Sequence, residues 1–323
     1  MNQPLMVAYS DSYQGWQLGR GDGTHATNPV RAKLATELLQ AQLGENCLVI
    51  EAAGGERLYD DLRALNSLHD PMYVKAVLAG ECNQWVGVRP EVASAGFDMF
   101  RGTARLVEKM LEGQCRVGFN PQGAKHHARF AEDSGFCVFN DMAYAALAFQ
   151  AAGLKPLYLD WDIHAGDGVY LMLKGKGVPT ISIHASGIYP GNSEMQLGLG
   201  QRGEVHHPEL DSFNFNVALG DGDDRFKTYI DAAAAIIDEY RPDVLLLAAG
   251  ADGHTGVGNL GSIANYTADG FRYAAEMVAA KALEHCDGRV LIGGAGGYQP
   301  LKETPETWAL VVSTIYNKIQ EGK

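Results

Sequence analysis

The chain has 323 residues, 46% of them hydrophobic, and a formal net charge of -13 at pH 7. This length and composition are sufficient to bury a large core. The acidic balance argues against sequence-independent binding to nucleic acids or to anionic membranes, because both require a basic surface, and it favours cationic substrates. The five cysteines are odd in number and far apart in sequence. This fits reduced thiols and not a disulfide framework or a thiolate zinc site.

The N-terminal segment, residues 1–7, shows no basic region followed by an apolar run and a cleavage site, and no segment has the length of a membrane span. We therefore expect a cytoplasmic protein. No internal repeat, low-complexity tract or boundary linker interrupts the chain, so we expect one domain over residues 1–323. The sequence does not fix the oligomeric state, and a homo-oligomer is compatible with it.

Short apolar runs alternate with segments of helical periodicity. The predicted strands are Leu5–Tyr9, Cys47–Glu51, Arg116–Phe119, Leu157–Asp160, Thr180–His184, Val244–Ala248 and Val290–Gly293. The predicted helices are Pro29–Leu43, Glu91–Leu111, Phe139–Ala152, Phe226–Tyr240, Asp269–Glu284 and Pro305–Ile319. This alternation predicts an α/β fold with one open, mainly parallel sheet and helices on both faces. The segment Gly187–His207, rich in glycine and polar residues, is predicted to be a long functional loop near a ligand-binding pocket.

The fourth predicted strand runs into a series of polar side chains at alternate positions. Asp160, Asp162 and His164 lie at positions i, i+2 and i+4, and such positions share one face of an extended segment. Two carboxylates and an imidazole converging where a strand ends are typical of a divalent-metal site in a hydrolase.

Three other predicted strands also end close to residues that can do chemistry. His126 and His127 follow the third strand, Asp252 follows the sixth and Tyr298 follows the seventh. In an open parallel α/β sheet, ligands bind beyond the carboxyl ends of the strands. The sequence therefore predicts that these four strand ends line one pocket.

Six motifs, taken together in their order and spacing, carry a family resemblance. They lie at residues 123–128, 134–141, 160–168, 189–191, 250–254 and 296–298. This ordered set resembles the zinc-dependent histone deacetylase superfamily, which includes bacterial deacetylase-like proteins and acetylpolyamine amidohydrolases. The resemblance extends from about His25 to Tyr298 and implies the arginase/deacetylase-like version of the α/β fold.

The resemblance implies a zinc-dependent amidohydrolase. Its substrate would be an acylated amine carrying an acetyl or short acyl group, either a small molecule such as an acetylpolyamine or an acetyl-lysine side chain. By position, Asp162, His164 and Asp252 look like the ligands of one catalytic Zn²⁺. Two carboxylates and one imidazole would leave a coordination position open for water and the substrate carbonyl.

The resemblance also implies the roles of five catalytic residues. His127 would act as general base and then as general acid, with His126 as its electrostatic partner. Asp160 would orient His126, and Asp167 would orient His127, because a buried carboxylate fixes the tautomer of an imidazole and raises its basicity. Tyr298 would donate its hydroxyl hydrogen to the developing oxyanion.

Two further groups of residues follow from the same resemblance. Phe136 and Tyr189 match the aromatic pair that lines the acyl-lysine tunnel, and the carbonyl oxygen of Gly135 would accept a hydrogen bond from the substrate amide. A structural K⁺ site near the zinc would be formed by four residues: Asp160, Asp162, His164 and Ser182.

Some positions depart from the family pattern. Ala165 stands where many relatives have a second histidine. The loop of residues 81–90 lacks the aspartate that holds the substrate backbone in peptide-directed members, and we expect Arg89 or Trp85 to be candidates for replacing it. Asn259 stands where polyamine-selective members have an acidic residue. These departures leave the identity of the acylated substrate open.

Two other classes of function are compatible with parts of the sequence. One is an arginase-like hydrolase with two manganese ions, in which His254, beside Asp252, would offer a second metal ligand. The tandem histidines and Tyr298 argue against it, because a hydroxide bridging two metals needs neither. The other is a catalytically silent module that binds acyl-lysine, although all of the matched catalytic residues are present.

Overall fold

The strands of the protein form a single sheet. The computed structural model describes residues 3–19, 25, 27–54, 57–191, 204–207, 212–256 and 263–322. The strands are β1 (Leu5–Tyr9), β2 (Cys47–Glu51), β3 (Val117–Asn120), β4 (Pro156–Asp160), β5 (Thr180–Ala185), β6 (Glu204–His207), β7 (Ser212–Val217), β8 (Val244–Ala248) and β9 (Val290–Gly293). Their order in the sheet is β2-β1-β3-β9-β8-β4-β5-β7-β6. All neighbours are parallel except β6 and β7, which confirms the predicted open, mainly parallel sheet.

Helices cover both faces of this sheet. They are α1 (Val30–Leu43), α2 (Leu58–Leu68), α3 (Pro71–Leu78), α4 (Pro90–Leu111), α5 (Asp141–Ala151), α6 (Asp167–Leu173), α7 (Asp223–Tyr240), α8 (Ala268–His285) and α9 (Glu303–Glu321). None of the helices in the described part of the chain combines the length and apolar character needed to cross a bilayer.

The core consists of two apolar layers, one on each face of the sheet. Along β1, Leu5 and Val7 belong to the layer that α7, α8 and α9 complete, whereas Met6 and Ala8 belong to the layer completed by α2 to α5. Successive side chains of a strand point to opposite faces, so a strand buried on both faces is apolar throughout. This is why β1, β8 and β9 are predictable from continuous apolar runs.

All seven predicted strands are present, and their ends differ from the predictions by at most one residue. Two strands were missed. β6 lies within the predicted loop Gly187–His207, so that prediction is wrong at its C-terminal end; residues 192–203 of the loop lie outside the described residues. β7 alternates aromatic with polar residues, and its polar members Ser212, Asn214 and Asn216 are buried, which made the segment resemble a loop in the sequence.

The predicted helices are also present, but several of them begin at other residues. α7 starts at Asp223 instead of Phe226 and α9 at Glu303 instead of Pro305, since acidic residues are favourable in the first turn of a helix. Helices α2, α3 and α6 were missed because two of them are short and all three follow closely on other elements. The single-domain organisation over residues 1–323 stays a prediction.

The carboxyl ends of four central strands form one row across the sheet. Asn120 of β3 pairs with Gly293 of β9, Gly293 with Ala248 of β8, and Ala248 with Asp160 of β4. The segments that follow these residues therefore leave the sheet side by side. They carry the candidate site.

Candidate active site

The loop after β3 carries the two adjacent histidines and is held by the first residue of α5. The Asp141 carboxylate accepts hydrogen bonds from the backbone N–H groups of Ala124 (3.0 Å) and Lys125 (2.8 Å) and from the hydroxyl of Thr103 (2.6 Å). The carbonyl of His126 accepts from the N–H of Val169 (3.1 Å). The backbone around both histidines is thus fixed by helices α4, α5 and α6.

His126 is buried and paired with Asp160. Its Nδ1 lies 2.8 Å from Asp160 Oδ2, an oxygen that also accepts from the hydroxyl of Tyr158 at 2.7 Å. Burial lowers the pKa of His126, but the charges of Asp160 and Asp162 outweigh burial and raise it to about 9. His126 therefore carries a positive charge at neutral pH.

His127 is buried and paired with Asp167. Its Nδ1 lies 2.8 Å from Asp167 Oδ1. Burial and the positive charge of His126, whose ring centroid is 4.1 Å away, lower the pKa of His127 to about 4. The neutral imidazole donates through Nδ1 to Asp167, so its Nε2 is a free base.

Arg129 is a residue of this site that sequence reasoning missed. Its guanidinium donates to Asp167 Oδ2 from Nη2 (2.7 Å) and from Nε (3.3 Å). Asp167 thus bridges His127 and a cation, and these hydrogen bonds hold the pKa of Asp167 below its usual range despite burial. Its partner Asp167 lies 38 positions further along the chain, so the sequence carries no direct signal of this contact.

Asp162, His164 and Asp252 converge as predicted. They are buried, and one ligand atom of each lies within 4.8 Å of the others. His164 Nδ1 is 2.8 Å from Asp252 Oδ2 and 3.1 Å from Asp162 Oδ1. Two further bonds fix the carboxylates: Asp162 Oδ2 accepts from the N–H of Gly296 (2.6 Å) and Asp252 Oδ1 from the N–H of Ile163 (3.0 Å).

The charges and the space around this cluster fit a divalent cation. Burial and the charge of Asp162 raise the pKa of Asp252, as expected where two carboxylates are buried side by side, and a divalent cation between them would relieve that repulsion. A Cβ at Gly296 would lie 2.5 Å from Asp162 Oδ2 and 2.6 Å from Asp252 Oδ2. Only glycine there leaves the space between the ligand atoms open. Two carboxylates and an imidazole are a donor set that zinc accepts.

Tyr298 follows this turn and lies beside the cluster, with its ring centroid 5.9 Å from that of His164. Burial and the charges of Asp162 and Asp252 raise its pKa well above 10, so its hydroxyl stays a hydrogen-bond donor. The turn is held by Arg31 of α1, whose Nη1 donates to the carbonyl of Gly297 at 2.6 Å. Sequence reasoning missed Arg31, which lies 266 positions away.

A pocket of about 430 Å³ leads to these groups. It is lined by Gln84, His127, Asp133, Ser134, Gly135, Phe136, His164, Tyr189 and Tyr298. The predicted aromatic pair therefore faces the same space as the histidines. Tyr189 packs edge-on against His127 with ring centroids 4.9 Å apart, and its hydroxyl is hydrogen-bonded to Ser134.

Phe136 reaches the pocket from a strained turn. Gly135 (φ 51°) and Phe136 (φ 63°) are both left-handed, and the flanking Ser134 and Cys137 exchange backbone hydrogen bonds of 3.0 and 2.8 Å. A left-handed bulky residue is uncommon and persists only where its surroundings enforce it. A Cβ at Gly135 would lie 2.3 Å from the His127 ring. Glycine thus lets the backbone at this position approach the His127 ring closely.

The loop of residues 81–90 contributes differently from the sequence expectation. Arg89 donates to the carbonyls of Gln17 (2.6 Å) and Gly19 (3.2 Å), and Trp85 is buried and donates to the carbonyl of Gly80 (2.8 Å). Neither residue is among those that line the pocket; their candidacy for substrate contact stays a prediction. Gln84 from the same loop does line it.

The remaining predicted residues lie as follows. Ser182 of β5 pairs in register with Asp160, and its hydroxyl oxygen is 2.7 Å from His184 Nδ1; the K⁺ assignment stays a prediction. Ala165 is buried beside Tyr170. His254 accepts from the N–H of Gly256 (3.0 Å) and does not belong to the ligand cluster. Asn259 lies outside the described residues.

Comparison with known proteins agrees with this geometry. The histone deacetylase domain matches residues 25–315. The acetoin utilization protein AcuC of Bacillus subtilis (strain 168) is 28% identical over 326 residues, covering 94% of this chain and 80% of that protein. Histone deacetylase 8 of Xenopus laevis is 29% identical over 256 residues, covering 77% and 73%. The crystal structure of the HDA15 HD domain aligns with a TM-score of 0.79 at 25% identity, covering 97% of this chain and 88% of that one.

The domain match and the structural alignment extend over nearly the whole described chain. They confirm the resemblance drawn from the six motifs, together with the predicted fold class and the predicted enzyme class, a deacetylase-type hydrolase. The chain belongs to the histone deacetylase family.

Proposed function

We propose that the protein is a zinc-dependent amidohydrolase that removes an acetyl or short acyl group from an acylated amine. The observation that carries the proposal is the convergence of three kinds of group on one pocket: a ligand cluster, a neutral buried imidazole with an oriented tautomer, and a protonated phenol. The substrate is either a small acylated amine or an acyl-lysine side chain. Cytoplasmic location and oligomeric state stay predictions.

Asp162, His164 and Asp252 would hold the zinc ion. When bound, zinc acts as a Lewis acid on the amide carbonyl and makes water more acidic. The hydrogen bonds from Gly296 and Ile163 to the two carboxylates orient the oxygens that face the cluster, and such supporting contacts typically affect metal affinity 10–100-fold.

His127 is the residue best suited to move the proton. Its neutral Nε2 takes a proton from the attacking water and later gives it to the leaving amine. Asp167 holds the tautomer that exposes Nε2 to the pocket. His126 stays protonated beside Asp160, and its charge favours the amide oxygen as negative charge develops there.

Tyr298 and the aromatic pair complete the reaction environment. The Tyr298 hydroxyl donates to the developing oxyanion, for which a single donor typically contributes about 3–4 kcal/mol in the transition state. Phe136 and Tyr189 form an apolar slot that accepts an unbranched alkyl chain and excludes water from the reacting amide. The Gly135 carbonyl, which accepts a hydrogen bond from the Cys137 thiol at 3.3 Å, would also accept from the substrate N–H.

The arginase-like alternative loses support at His254. Its ring Nδ1 accepts from Gly256 and the ring stacks on Phe271 at 6.1 Å, so it does not supply a second metal ligand beside Asp252. Among the described residues, the other potential ligand group, Asp238, Glu284 and His285, lies on α7 and α8 and not in the pocket.

The test combines metal analysis with a hydrolysis panel. Protein of defined metal content is assayed against acetyl-, propionyl- and longer-acyl lysine peptides, acetylated polyamines and acetylated amino acids. We expect one zinc per chain and release of acetate from at least one acylated amine. Two manganese ions per chain would favour the arginase-like alternative, and metal-free protein without activity would favour the silent binding module.

A further inference from the structure

The pocket contains a carboxylate that the proposed mechanism does not use. Asp133 is one of the pocket-lining residues and is 7% exposed. It lies in the chain between the exposed Glu132 and the half-buried Ser134. Its partners come from the loop of residues 81–90.

All of the described partners of Asp133 are neutral. Oδ1 accepts from the side-chain amide of Gln84 (2.7 Å), and Oδ2 accepts from the backbone N–H (3.2 Å) and side-chain amide (3.4 Å) of Asn83. The Cys82 thiol is also adjacent, and burial together with the nearby Asp133 charge raises its pKa to about 12, so the thiol stays neutral.

The basic residues of the two flanking segments are engaged elsewhere. Arg129 is bonded to Asp167 and Glu132, and Arg89 to Glu91 and two backbone carbonyls. Within the described residues, no Lys, Arg or His nitrogen lies within 4.0 Å of an Asp133 oxygen. Asp133 is therefore a buried carboxylate that is hydrogen-bonded but has no cationic partner among the described residues, and burying a carboxylate in this way costs free energy unless a cation approaches.

Asp133 is also rigidly connected to the slot. The Gln84 side chain donates to Asp133 from Nε2 and accepts from the Phe136 N–H at Oε1, both at 2.7 Å. The carboxylate is thus fixed relative to the aromatic ring that holds the alkyl chain of the substrate. A charged group held at a fixed position beside an apolar channel selects among alkyl chains according to the chemical group at their far end.

We infer that Asp133 is a specificity-determining residue that binds a second, cationic nitrogen of the substrate, so that the protein prefers the monoacylated form of an aliphatic diamine or polyamine over uncharged acylated amines. This inference rests on the proposed function and specifies its substrate class. An ammonium ion neutralises the carboxylate, whereas a peptide N–H would only add another neutral donor to a group whose described donors are all neutral. The net charge of -13 attracts the same ligands.

The test compares N-acetyl-1,4-diaminobutane with N-pentylacetamide, in which a methyl group replaces the ammonium. In the zinc-loaded wild type, we expect kcat/KM for the diamine to exceed that for the neutral compound by at least about tenfold, the range of a charge-assisted hydrogen bond in a partly buried site. In Asp133→Asn the ratio should fall to near unity, mainly through KM for the diamine. Glu81→Gln, which removes an exposed acid from the same loop, should leave the ratio within about twofold.

Binding measured by calorimetry separates this inference from the proposed function. Wild-type protein should bind 1,4-diaminobutane at least about tenfold more tightly than pentylamine, and Asp133→Asn should not. If neither acetylated compound is hydrolysed, the proposed function fails while the binding preference still decides the role of Asp133. Equal affinities in the wild type would overturn the inference even if Asp133→Asn does not fold. The inference would also be overturned if Asp133→Asn lost kcat/KM equally for the acetylated diamine and for N-pentylacetamide. A larger loss of kcat/KM for an acetyl-lysine peptide than for the acetylated diamine would overturn it as well.

Discussion

Two chemically identical neighbours, His126 and His127, acquire different charge states from their surroundings: the first is positively charged and the second is neutral. Asp160 and Asp162 keep the first protonated, and that charge together with burial keeps the second neutral. Adjacent buried imidazoles cannot both be charged at low cost. Two carboxylates lie near the ring of His126, whereas His127 has one carboxylate, Asp167, which it shares with Arg129. This difference makes His127 the better proton acceptor of the two.

Replacing any one of Asp162, His164 and Asp252 by alanine should remove zinc and activity together. An open catalytic zinc site has three protein ligands, so a variant with only two of them should not hold the ion. Metal content is measured on purified variants of unchanged secondary structure. Stoichiometric zinc in all three variants would contradict the ligand assignment.

Tyr298→Phe should keep zinc and fold but lose about 10² to 10³ in kcat, because it removes one oxyanion donor and no metal ligand. The measurement is kcat at full metal occupancy. Tyr273→Phe, which removes the hydroxyl of a partly exposed tyrosine bonded to Asp231, serves as the control and should have wild-type turnover. Wild-type kcat in loaded Tyr298→Phe would show that the hydroxyl plays no part in the reaction.

Elements of the fold meet at His69, which ends α2 and supports the start of α5. Its Nε2 accepts from the N–H of Asn140 at 2.9 Å, and its Nδ1 donates to the carbonyl of Arg129 at 2.9 Å. Asn140 in turn donates from its side chain to the carbonyl of Ala128 (2.8 Å). A packed histidine with no part in the chemistry therefore fixes the loop that carries the catalytic pair.

This arrangement predicts a pH dependence of stability. Burial lowers the pKa of His69 from 6.5 to about 4. In the unfolded chain His69 takes up a proton below pH 6.5, whereas in the folded protein it does so only near pH 4. The stabilisation is complete above pH 6.5 and is lost as the pH falls, by at most about 1.4 kcal/mol per pH unit.

Urea unfolding of the wild type and of His69→Gln across this pH range isolates the contribution of His69. Other buried histidines titrate in both proteins and cancel in the difference. The free energy of unfolding should fall more steeply with decreasing pH in the wild type than in the variant. Parallel curves would show that His69 has an unshifted pKa.

The elements that sequence reasoning predicted correctly are those whose burial produces a simple pattern. β8 is apolar at every position because both of its faces are covered, and the Asp160–His164 alternation indicates a strand end directly. β7 was missed because one of its two buried faces is polar. Arg31 and Arg129 were missed for a different reason: each acts through a group that is distant in sequence, Gly297 and Asp167, and spacing alone carries no signal of such a contact.

At the scale of the whole molecule, metal binding should contribute to stability. Asp162 and Asp252 are buried acids whose mutual repulsion a bound cation relieves. A ligand present at a hundredfold excess over its Kd stabilises the folded state by about 2.7 kcal/mol, which corresponds to a rise in Tm on the order of 5 °C for a chain of this size. Scanning calorimetry with zinc and with a chelator measures the shift.

Asp252→Ala provides the control for this shift, since it lacks one proposed ligand. Its Tm should respond to zinc by less than a third of the wild-type change. An equal response in the variant would mean that zinc stabilises the protein from elsewhere, for example at the surface group of Asp238, Glu284 and His285.

The strand order also determines when the active site can come into being during synthesis. β3 and β4 precede the two histidines and the Asp162–His164 pair, but they are not neighbours; β9 and β8 lie between them. Both intervening strands come from the final quarter of the chain, from Val244 onward. When the ribosome has synthesised both histidines and Asp162, the sheet of the growing chain therefore still lacks its two central strands, β8 and β9. The proposed metal cluster can therefore form only after Asp252 and β9 have been synthesised, so metal binding at this cluster would mark chains whose central sheet is complete.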